Sequence, residues 1–294
     1  MPELPDLTVY IEQLARKTKG ETFDGVRLAS PFLLRTVAPK PESLIGSRVV
    51  DWSRLGKQLV CELEGEHFIV IHLMISGRLW WEKKNAKIPK GRGLAAFDFS
   101  SGTLVLTEAS KKRRASLKLV GNRDELRALD PGGLEVFAID EAAFAARLRA
   151  AGHTLKRALT DQHVLAGIGN AYSDEILLHA KLSPFKQASQ LTDEEIARLF
   201  AATREWLAKW VDILREKAHD DWPTKVTAFH DEMAVHGRYR EPCPVCGAPV
   251  QRIVYAENEA NYCARCQTGG RLLADRSLSR LLKQNWPKRL EDLE

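Results

Sequence analysis

The amino-acid sequence predicts an α+β protein with a β-rich N-terminal part, a helical C-terminal part and a small cysteine module near its end. Three observations predict this architecture. Short apolar segments separated by Gly, Asp and Ser run from about Phe23 to Val120, a helical period begins at Asp140, and two Cys-x-x-Cys pairs lie between Cys243 and Cys266. We therefore expect a β-sandwich or a barrel, followed by helices and a metal-binding module.

Composition indicates a globular protein with local excesses of positive charge. The chain has 294 residues, 44% of them hydrophobic, which is enough for the cores of two domains. The formal net charge is +5, and basic clusters at 111–114 and 271–289 fit either a polyanionic partner or a solvated surface. No apolar run approaches the roughly 18 residues of a membrane helix, so we expect a cytoplasmic protein without a membrane partner.

The first residues, Met1-Pro2-Glu3-Leu4-Pro5, have two interpretations. Removal of Met1 would leave a proline secondary amine beside a carboxylate, and an α-amino group titrates near about 8, low enough to act as a nucleophile. Alternatively, Pro2 is an exposed chain end and Pro5 begins a helix that runs to about Lys17. These residues alone favour the second interpretation.

The remaining elements follow in order along the chain. Strands are expected at residues 58–63, 68–73, 94–99 and 103–107. After the break at Asp130-Pro131-Gly132-Gly133, helices are expected at residues 140–151, 154–165, 171–180 and 193–216.

The cysteine module is the strongest local signal. Cys243 and Cys246 are separated by 16 residues from Cys263 and Cys266, a length that suits a β-hairpin between two zinc knuckles. Redox motifs come singly, so we expect one structural zinc ion held by four thiolates rather than a redox pair.

Two weaker signals concern phosphate binding. The glycines of the segment from Gly167 to Asn170 would let the backbone approach a phosphate, although packing in a helix-turn-helix explains them as well. Lys57 follows Gly56 at a turn, where it is either a point charge for a phosphate or an ordinary surface lysine.

Taken in this order, the motifs resemble the formamidopyrimidine-DNA glycosylase and endonuclease VIII family, the helix-two-turn-helix glycosylases of base-excision repair. The resemblance extends over nearly the whole chain. It rests on Pro2-Glu3-Leu4-Pro5, Gly56-Lys57, the segment 72–77, Asp161-Gln162 with 167–170, Gly237-Arg238, Glu241-Pro242-Cys243, and Cys263 to Gln267.

The resemblance implies an N-terminal catalytic β-sandwich domain with a leading helix at 1–132 and a helix-two-turn-helix domain at 133–240. It further implies a zinc finger at 241–270. A basic tail at 271–294 continues beyond the usual end of the family. The implied partner is damaged double-stranded DNA, bound by a monomer associated with the nucleoid. Catalysis would involve Pro2, Glu3 and Lys57, and the implied DNA contacts are His72, Met74, Ile75, Arg113, Arg114, Asn170 and Asn258.

Several positions depart from the family pattern. Asn258 and Ala260 stand where the family carries an arginine and a threonine, so a charge-assisted phosphate contact becomes a neutral one. Arg252 and Arg271 are candidates to replace that charge. The loop after His72-Leu73 reads Met74-Ile75 instead of glycine then methionine, and the segment at Arg113 lacks the family's aromatic wedge.

The implied activity is removal of damaged bases by a glycosylase that then cleaves the abasic site through a Schiff base on Pro2. Two alternatives stay open because of the departures: a non-turnover protein that binds damage or abasic sites, and a family enzyme with a changed lesion preference.

Overall fold

The structure is a computed structural model that describes residues 1–219, 221–227, 229–255 and 258–293. It divides into two compact units. The N-terminal unit comprises Met1–Pro131 and Trp210–Thr227, and the C-terminal unit comprises Gly132–Lys209 and Ala228–Glu294. In the described part of the chain, no helix has both the length and the apolar character needed to cross a membrane.

The N-terminal unit contains two four-stranded antiparallel sheets, where the sequence predicts a sandwich or a barrel. One sheet has the strand order β1-β6-β7-β5 and the other the order β2-β3-β4-β8. Their buried apolar residues form one continuous core, so the unit is a sandwich. The strands are β1 (Phe23–Leu28), β2 (Val49–Leu55), β3 (Gln58–Leu63), β4 (His67–His72), β5 (Gly77–Glu82), β6 (Gly93–Phe99), β7 (Gly102–Glu108) and β8 (Ser116–Val120).

Helix α1 (Leu4–Thr18) precedes the sandwich and packs on its core. Pro5 lies in the first turn, where its missing N–H has no helical partner to lose. Leu7, Tyr10 and Leu14 recur at helical spacing and are almost fully buried in the sandwich core. This packing holds the start of the chain in a fixed place. A short helix, α2 (Arg123–Arg127), follows β8.

The C-terminal unit is helical and ends in a β-hairpin. Its secondary-structure elements are α3 (Glu141–Ala150), α4 (Leu155–Thr160), α5 (Asn170–His179), α6 (Asp193–Ala218), β9 (Val250–Tyr255), β10 (Asn258–Cys263), α7 (Ala264–Thr268) and α8 (Arg276–Leu282). The last turns of α6, from Trp210 onward, group with the N-terminal unit.

Helix α4 is shorter than the sequence pattern suggests. The prediction of a helix over 154–165 is wrong beyond Thr160. Asp161 leaves the helical conformation, and its side chain accepts a hydrogen bond from the N–H of His163 at 2.9 Å. Asp and Asn side chains stabilise turns in this way at the expense of the helix.

The segment after α6 returns to the core of the N-terminal unit. Trp222 packs against Tyr10 and Trp81 and donates its indole N–H to the carbonyl of Leu79 at 2.9 Å. The resemblance places the loop that contacts the lesion near residues 222–234, and Ala228 in that range lies outside the described residues.

Candidate active site

The predicted nucleophile lies in a buried setting at the start of α1. Pro2 is buried and Glu3 is 2% exposed. Glu3 caps the helix, and its backbone N–H donates to Oδ2 of Asp6 at 2.9 Å. The first residues are therefore held against the unit rather than projecting from it as a flexible end.

Charged groups surround the chain terminus. Burial lowers the pKa of the Met1 amino group, the positive charges of Arg78 and Lys57 lower it further, and the carboxylates of Glu3 and Asp6 oppose this. A lowered pKa keeps an amine partly unprotonated near neutral pH, and an unprotonated amine is nucleophilic. The charges of two predicted residues, Glu3 and Lys57, thus both act on the amino group that precedes Pro2.

Asp6 is a second buried carboxyl at this site. Burial raises its pKa to about 7, against the smaller opposing effect of the hydrogen bond from Glu3. A carboxyl group with a pKa near neutrality can both give and accept a proton at physiological pH.

Lys57 lies in the tight turn between β2 and β3. Gly56 has a φ of +58°, a conformation that costs glycine little. The guanidinium of Arg54 donates to the carbonyl of Gly56 at 2.5 Å and so braces the turn. Lys57 therefore lies in a hairpin turn that the hydrogen bond from Arg54 to Gly56 stabilises.

His72 ends β4, opposite Gln58 on β3 and Ser116 on β8. Burial lowers its pKa to about 4, and the charges of Lys57 and Lys118 contribute to the shift. His72 is therefore neutral at physiological pH. Any phosphate contact it makes is a hydrogen bond, without a charge of its own.

The loop between β4 and β5 carries Met74 and Ile75. Leu73 is buried, whereas Ile75 is 54% exposed. Met74 has a φ of +52°, the left-handed region that is unusual for a non-glycine residue. A side chain at Gly77 would meet the carbonyl oxygen of Leu73 at 2.2 Å, so the loop closes only with glycine there.

A buried glutamate ties this loop to the basic loop before β8. Glu108, which is 3% exposed, accepts a hydrogen bond from the Ser76 hydroxyl at 3.2 Å. It also accepts from the backbone N–H groups of Arg114 and Ala115, each at 3.0 Å. Through Ser76, Arg114 and Ala115, one carboxylate thus holds the two loops that carry the predicted DNA contacts at 74–75 and 113–114.

In the C-terminal unit, Gln162 shapes the turn before α5. Its side-chain amide donates to the carbonyls of Thr160 at 3.0 Å and Ile168 at 2.8 Å, and its oxygen accepts from the N–H of Gly167 at 2.9 Å. Asn170 begins α5 directly after this turn. Asn170, a predicted phosphate contact, therefore follows a turn whose backbone is held by hydrogen bonds from the Gln162 side chain.

A buried polar network connects α4 and α5 with the hairpin. The carboxylate of Asp174 accepts hydrogen bonds from Lys156 Nζ at 2.5 Å and from Asn261 Nδ2 at 3.2 Å. It also lies 2.8 Å from Nδ1 of His236, with which it forms a third hydrogen bond. Lys156 Nζ also donates to the carbonyl of Asn170 at 2.6 Å. The network thus links the turn at Asn170 to strand β10.

Glu175, the residue after Asp174, holds residues 234–236 in the segment before the cysteine module. The Glu175 carboxylate accepts backbone hydrogen bonds from Ala234, Val235 and His236 at 2.8 to 2.9 Å. Burial nevertheless raises the pKa of Glu175. Sequence reasoning missed Asp174 and Glu175, although two consecutive carboxylates directly before the apolar run at 176–178 are a signal that could have found them.

The four predicted metal ligands come together in the hairpin module. The sulfur atoms of Cys243, Cys246, Cys263 and Cys266 all lie within 4.8 Å of one another. A tetrahedral Zn–S distance of about 2.3 Å requires sulfur atoms roughly 3.8 Å apart. The donor set and its spacing fit a closed structural zinc site.

Asn258 is exposed at the first position of β10, opposite Tyr255. Arg252, a candidate to replace the missing arginine, lies 4.6 Å from the centre of the Tyr239 ring and 4.0 Å from a carboxylate oxygen of Glu259. Arg252 is thus exposed and has its charged neighbour Glu259 within the C-terminal unit.

Comparisons with known proteins agree with this arrangement. Sequence models of the formamidopyrimidine-DNA glycosylase N-terminal domain, its H2TH domain and the zinc finger found in FPG and IleRS match residues 1–130, 130–219 and 240–269. The formamidopyrimidine-DNA glycosylase of Thermus thermophilus is 34% identical over 278 residues, covering 92% of this chain and all of that protein. The chain belongs to the formamidopyrimidine-DNA glycosylase family.

Other members of the family differ in how much of the chain they cover. An uncharacterized formamidopyrimidine-DNA glycosylase-like protein of Mycobacterium tuberculosis is 42% identical over 159 residues, covering 53% of this chain and 96% of its own length. The Lactococcus lactis glycosylase, non-covalently bound to DNA with an AP site, has a TM-score of 0.78 at 25% identity and covers 90% of this chain and 99% of its own. MutM in complex with DNA containing carbocyclic 8-oxo-G has a TM-score of 0.79 at 25% identity, covering 91% of this chain and 100% of its own.

Proposed function

We propose that this chain is a DNA glycosylase of base-excision repair that removes damaged bases from double-stranded DNA and then cleaves the abasic site. The observation that carries the proposal is the buried start of the chain, where Pro2 and the 2% exposed Glu3 are adjacent at the beginning of α1. We further propose that it acts as a monomer at the nucleoid in the cytoplasm.

The chemistry begins once Met1 is removed and the Pro2 nitrogen becomes the terminus. Its lone pair attacks C1′ of the damaged nucleotide, and the base departs with the electrons of the glycosidic bond. The C1′–O4′ bond then opens as O4′ takes up a proton, which leaves an iminium on the Pro2 nitrogen. This iminium acidifies the C2′ hydrogen, so loss of that proton expels the 3′ phosphate, and a second elimination expels the 5′ phosphate. Water finally hydrolyses the iminium and releases the protein. In this proposal Glu3, which is buried next to Pro2, transfers protons at the opening sugar ring.

The binding residues fall into two groups. In the N-terminal unit, Lys57 supplies a positive charge and His72 a neutral hydrogen bond to the strand that carries the lesion. In the C-terminal unit, Asn170 contacts a phosphate from the clamped turn, and the exposed Asn258 offers a neutral contact. Zinc, when bound by the four cysteines, stabilises the hairpin and takes no part in the reaction.

In this proposal, the loops that carry residues 74–75 and 113–114 distort the DNA duplex. Met74 and Ile75 fill the space left by the flipped nucleotide, and Arg113 and Arg114 contact the opposite strand. Glu108 holds both loops, so we assign it a positioning role.

The test is multiple-turnover cleavage of duplexes containing an abasic site, 8-oxoguanine or an oxidised pyrimidine. Product in excess of protein establishes an enzyme, and the preferred duplex gives its lesion class. Glu3→Gln should bind DNA but lose base release, whereas Glu12→Gln, on the exposed side of the same helix, should retain activity.

Asn258 in place of arginine is the one observation that favours the non-turnover alternative. Tight binding to abasic duplexes with no product beyond background would establish that alternative and contradict the proposal.

A further inference from the structure

The tail after the zinc finger folds back on itself and sets two arginines side by side. Arg271 and Arg289 face each other across an isolated antiparallel bridge. The N–H of Leu272 donates to the carbonyl of Lys288 at 2.8 Å, and the N–H of Leu290 donates to the carbonyl of Gly270 at 2.9 Å. These bonds flank the arginines, which therefore occupy a non-hydrogen-bonded position, where facing Cα atoms are only about 4.5 Å apart.

The two arginine side chains leave the bridge on its solvent side. Leu272 and Leu290 alternate with them and pack against Ile253 and Tyr262 of the hairpin. Successive side chains in an extended segment point to opposite faces, so the arginines point away from that apolar cluster. Both are exposed.

This arrangement is unfavourable for the isolated protein. Like charges directly opposite each other destabilise a paired segment. In residues 1–219, 221–227, 229–255 and 258–293, neither guanidinium forms an ion pair with a carboxylate. Asp292, close in sequence, uses its Oδ2 to accept the backbone N–H groups of Lys288 and Arg289 at 2.9 and 2.8 Å. An external anion between the two guanidiniums would remove the repulsion.

We propose that Arg271 and Arg289, the arginine pair, bind a backbone phosphate of the DNA duplex. Guanidinium groups donate planar, paired hydrogen bonds to phosphate oxygens, and two of them on one face can share a single phosphate. The pair lies beyond the zinc-finger match, which ends at residue 269. It adds a phosphate contact of its own, separate from the position of Asn258. The proposal rests on the proposed function only in taking DNA as the partner.

The experiment compares two double variants of the full chain that remove equal charge from the tail. Arg271→Gln/Arg289→Gln removes the pair, and Arg280→Gln/Lys283→Gln removes two exposed charges outside it. Binding to undamaged and abasic-analogue duplexes is measured at several salt concentrations. Zinc content and circular dichroism check that both variants fold, and Arg289→Gln alone serves as a milder second variant.

Loss of the pair should weaken binding about ten-fold near 0.1 M salt, as expected for charge-assisted hydrogen bonds. The slope of log K against log salt should fall by about 0.9. The loss should be equal on both duplexes, because a phosphate contact carries no information about the lesion. The control should change the slope by less than half as much.

An unchanged slope, or an equal loss in the control, would overturn the proposal. Borohydride trapping of the wild-type protein on abasic DNA separates this outcome from failure of the proposed function. If trapping succeeds and the slope does not change, only the arginine pair is refuted. If trapping fails and the slope falls as expected, the pair stands as a DNA contact and the enzymatic proposal fails.

Discussion

Replacing Asp174 with asparagine should destabilise the C-terminal unit far more than removing an exposed carboxylate. The side chains of Lys156 and Asp174 are 2% and 0% exposed, and their charged atoms lie 2.5 Å apart. Removing one partner of a buried ion pair leaves the other charge without compensation, which costs about 3–5 kcal/mol. In a unit of this size, that loss corresponds to a fall in melting temperature of roughly 6–20 °C.

The assay is urea unfolding followed by circular dichroism, with Asp193→Asn as the matched control. Asp193 pairs with Arg149 at 2.6 Å, but its side chain is 94% exposed, so its loss should cost at most about 1 kcal/mol. The double variant Lys156→Met/Asp174→Asn removes both buried charges and should recover more than half of the stability lost by Asp174→Asn.

The same change should weaken DNA binding, because Asp174 also holds His236 and Asn261. If Asp174→Asn lowers the free energy of unfolding no more than Asp193→Asn does, the buried network does not stabilise the C-terminal unit. The connection that the network makes between Asn170 and the hairpin would then not contribute to stability.

Three further predictions concern pH, zinc and charge. Burial raises the pKa of Asp6 to about 7, so the folded chain keeps a proton that the unfolded chain releases near pH 4. Stability should therefore fall by about 3 kcal/mol between pH 5 and pH 8, and Asp6→Asn should abolish that fall in urea unfolding at these two pH values. Metal analysis should find one zinc ion per chain, and chelation should unfold the hairpin and abolish DNA affinity; zinc-free protein that binds DNA normally would refute this. Asn258→Arg should tighten DNA binding and steepen the salt slope by about 0.9, by the same amount with or without the arginine pair; an unchanged slope would show that another cation already occupies that phosphate.

The sequence predicts best where a local pattern determines the structure. Strand β3 occupies the expected residues 58–63, and α6 extends only two residues beyond the expected 193–216. The cysteine spacing likewise predicts the four-sulfur cluster, because two knuckles and a hairpin leave little freedom of arrangement.

Long-range contacts are where the sequence falls short. Glu108 contacts Ser76 across 32 residues, and Asp174 contacts Asn261 across 87. Such contacts follow from strand register and helix packing, which no local pattern specifies. The early end of α4 has a local cause, because the side chain of Asp161 accepts a hydrogen bond from the backbone N–H of His163 and so stabilises a turn. The helical spacing of apolar residues continues past Asp161, so the sequence pattern alone predicts a longer helix.

The most direct test of the central claim is borohydride reduction of the protein on abasic duplex DNA, followed by mass spectrometry of the trapped peptide. We expect a covalent adduct on the nitrogen of Pro2, in protein from which Met1 has been removed. An adduct on a lysine such as Lys57, or full activity in protein that retains Met1, would contradict the account.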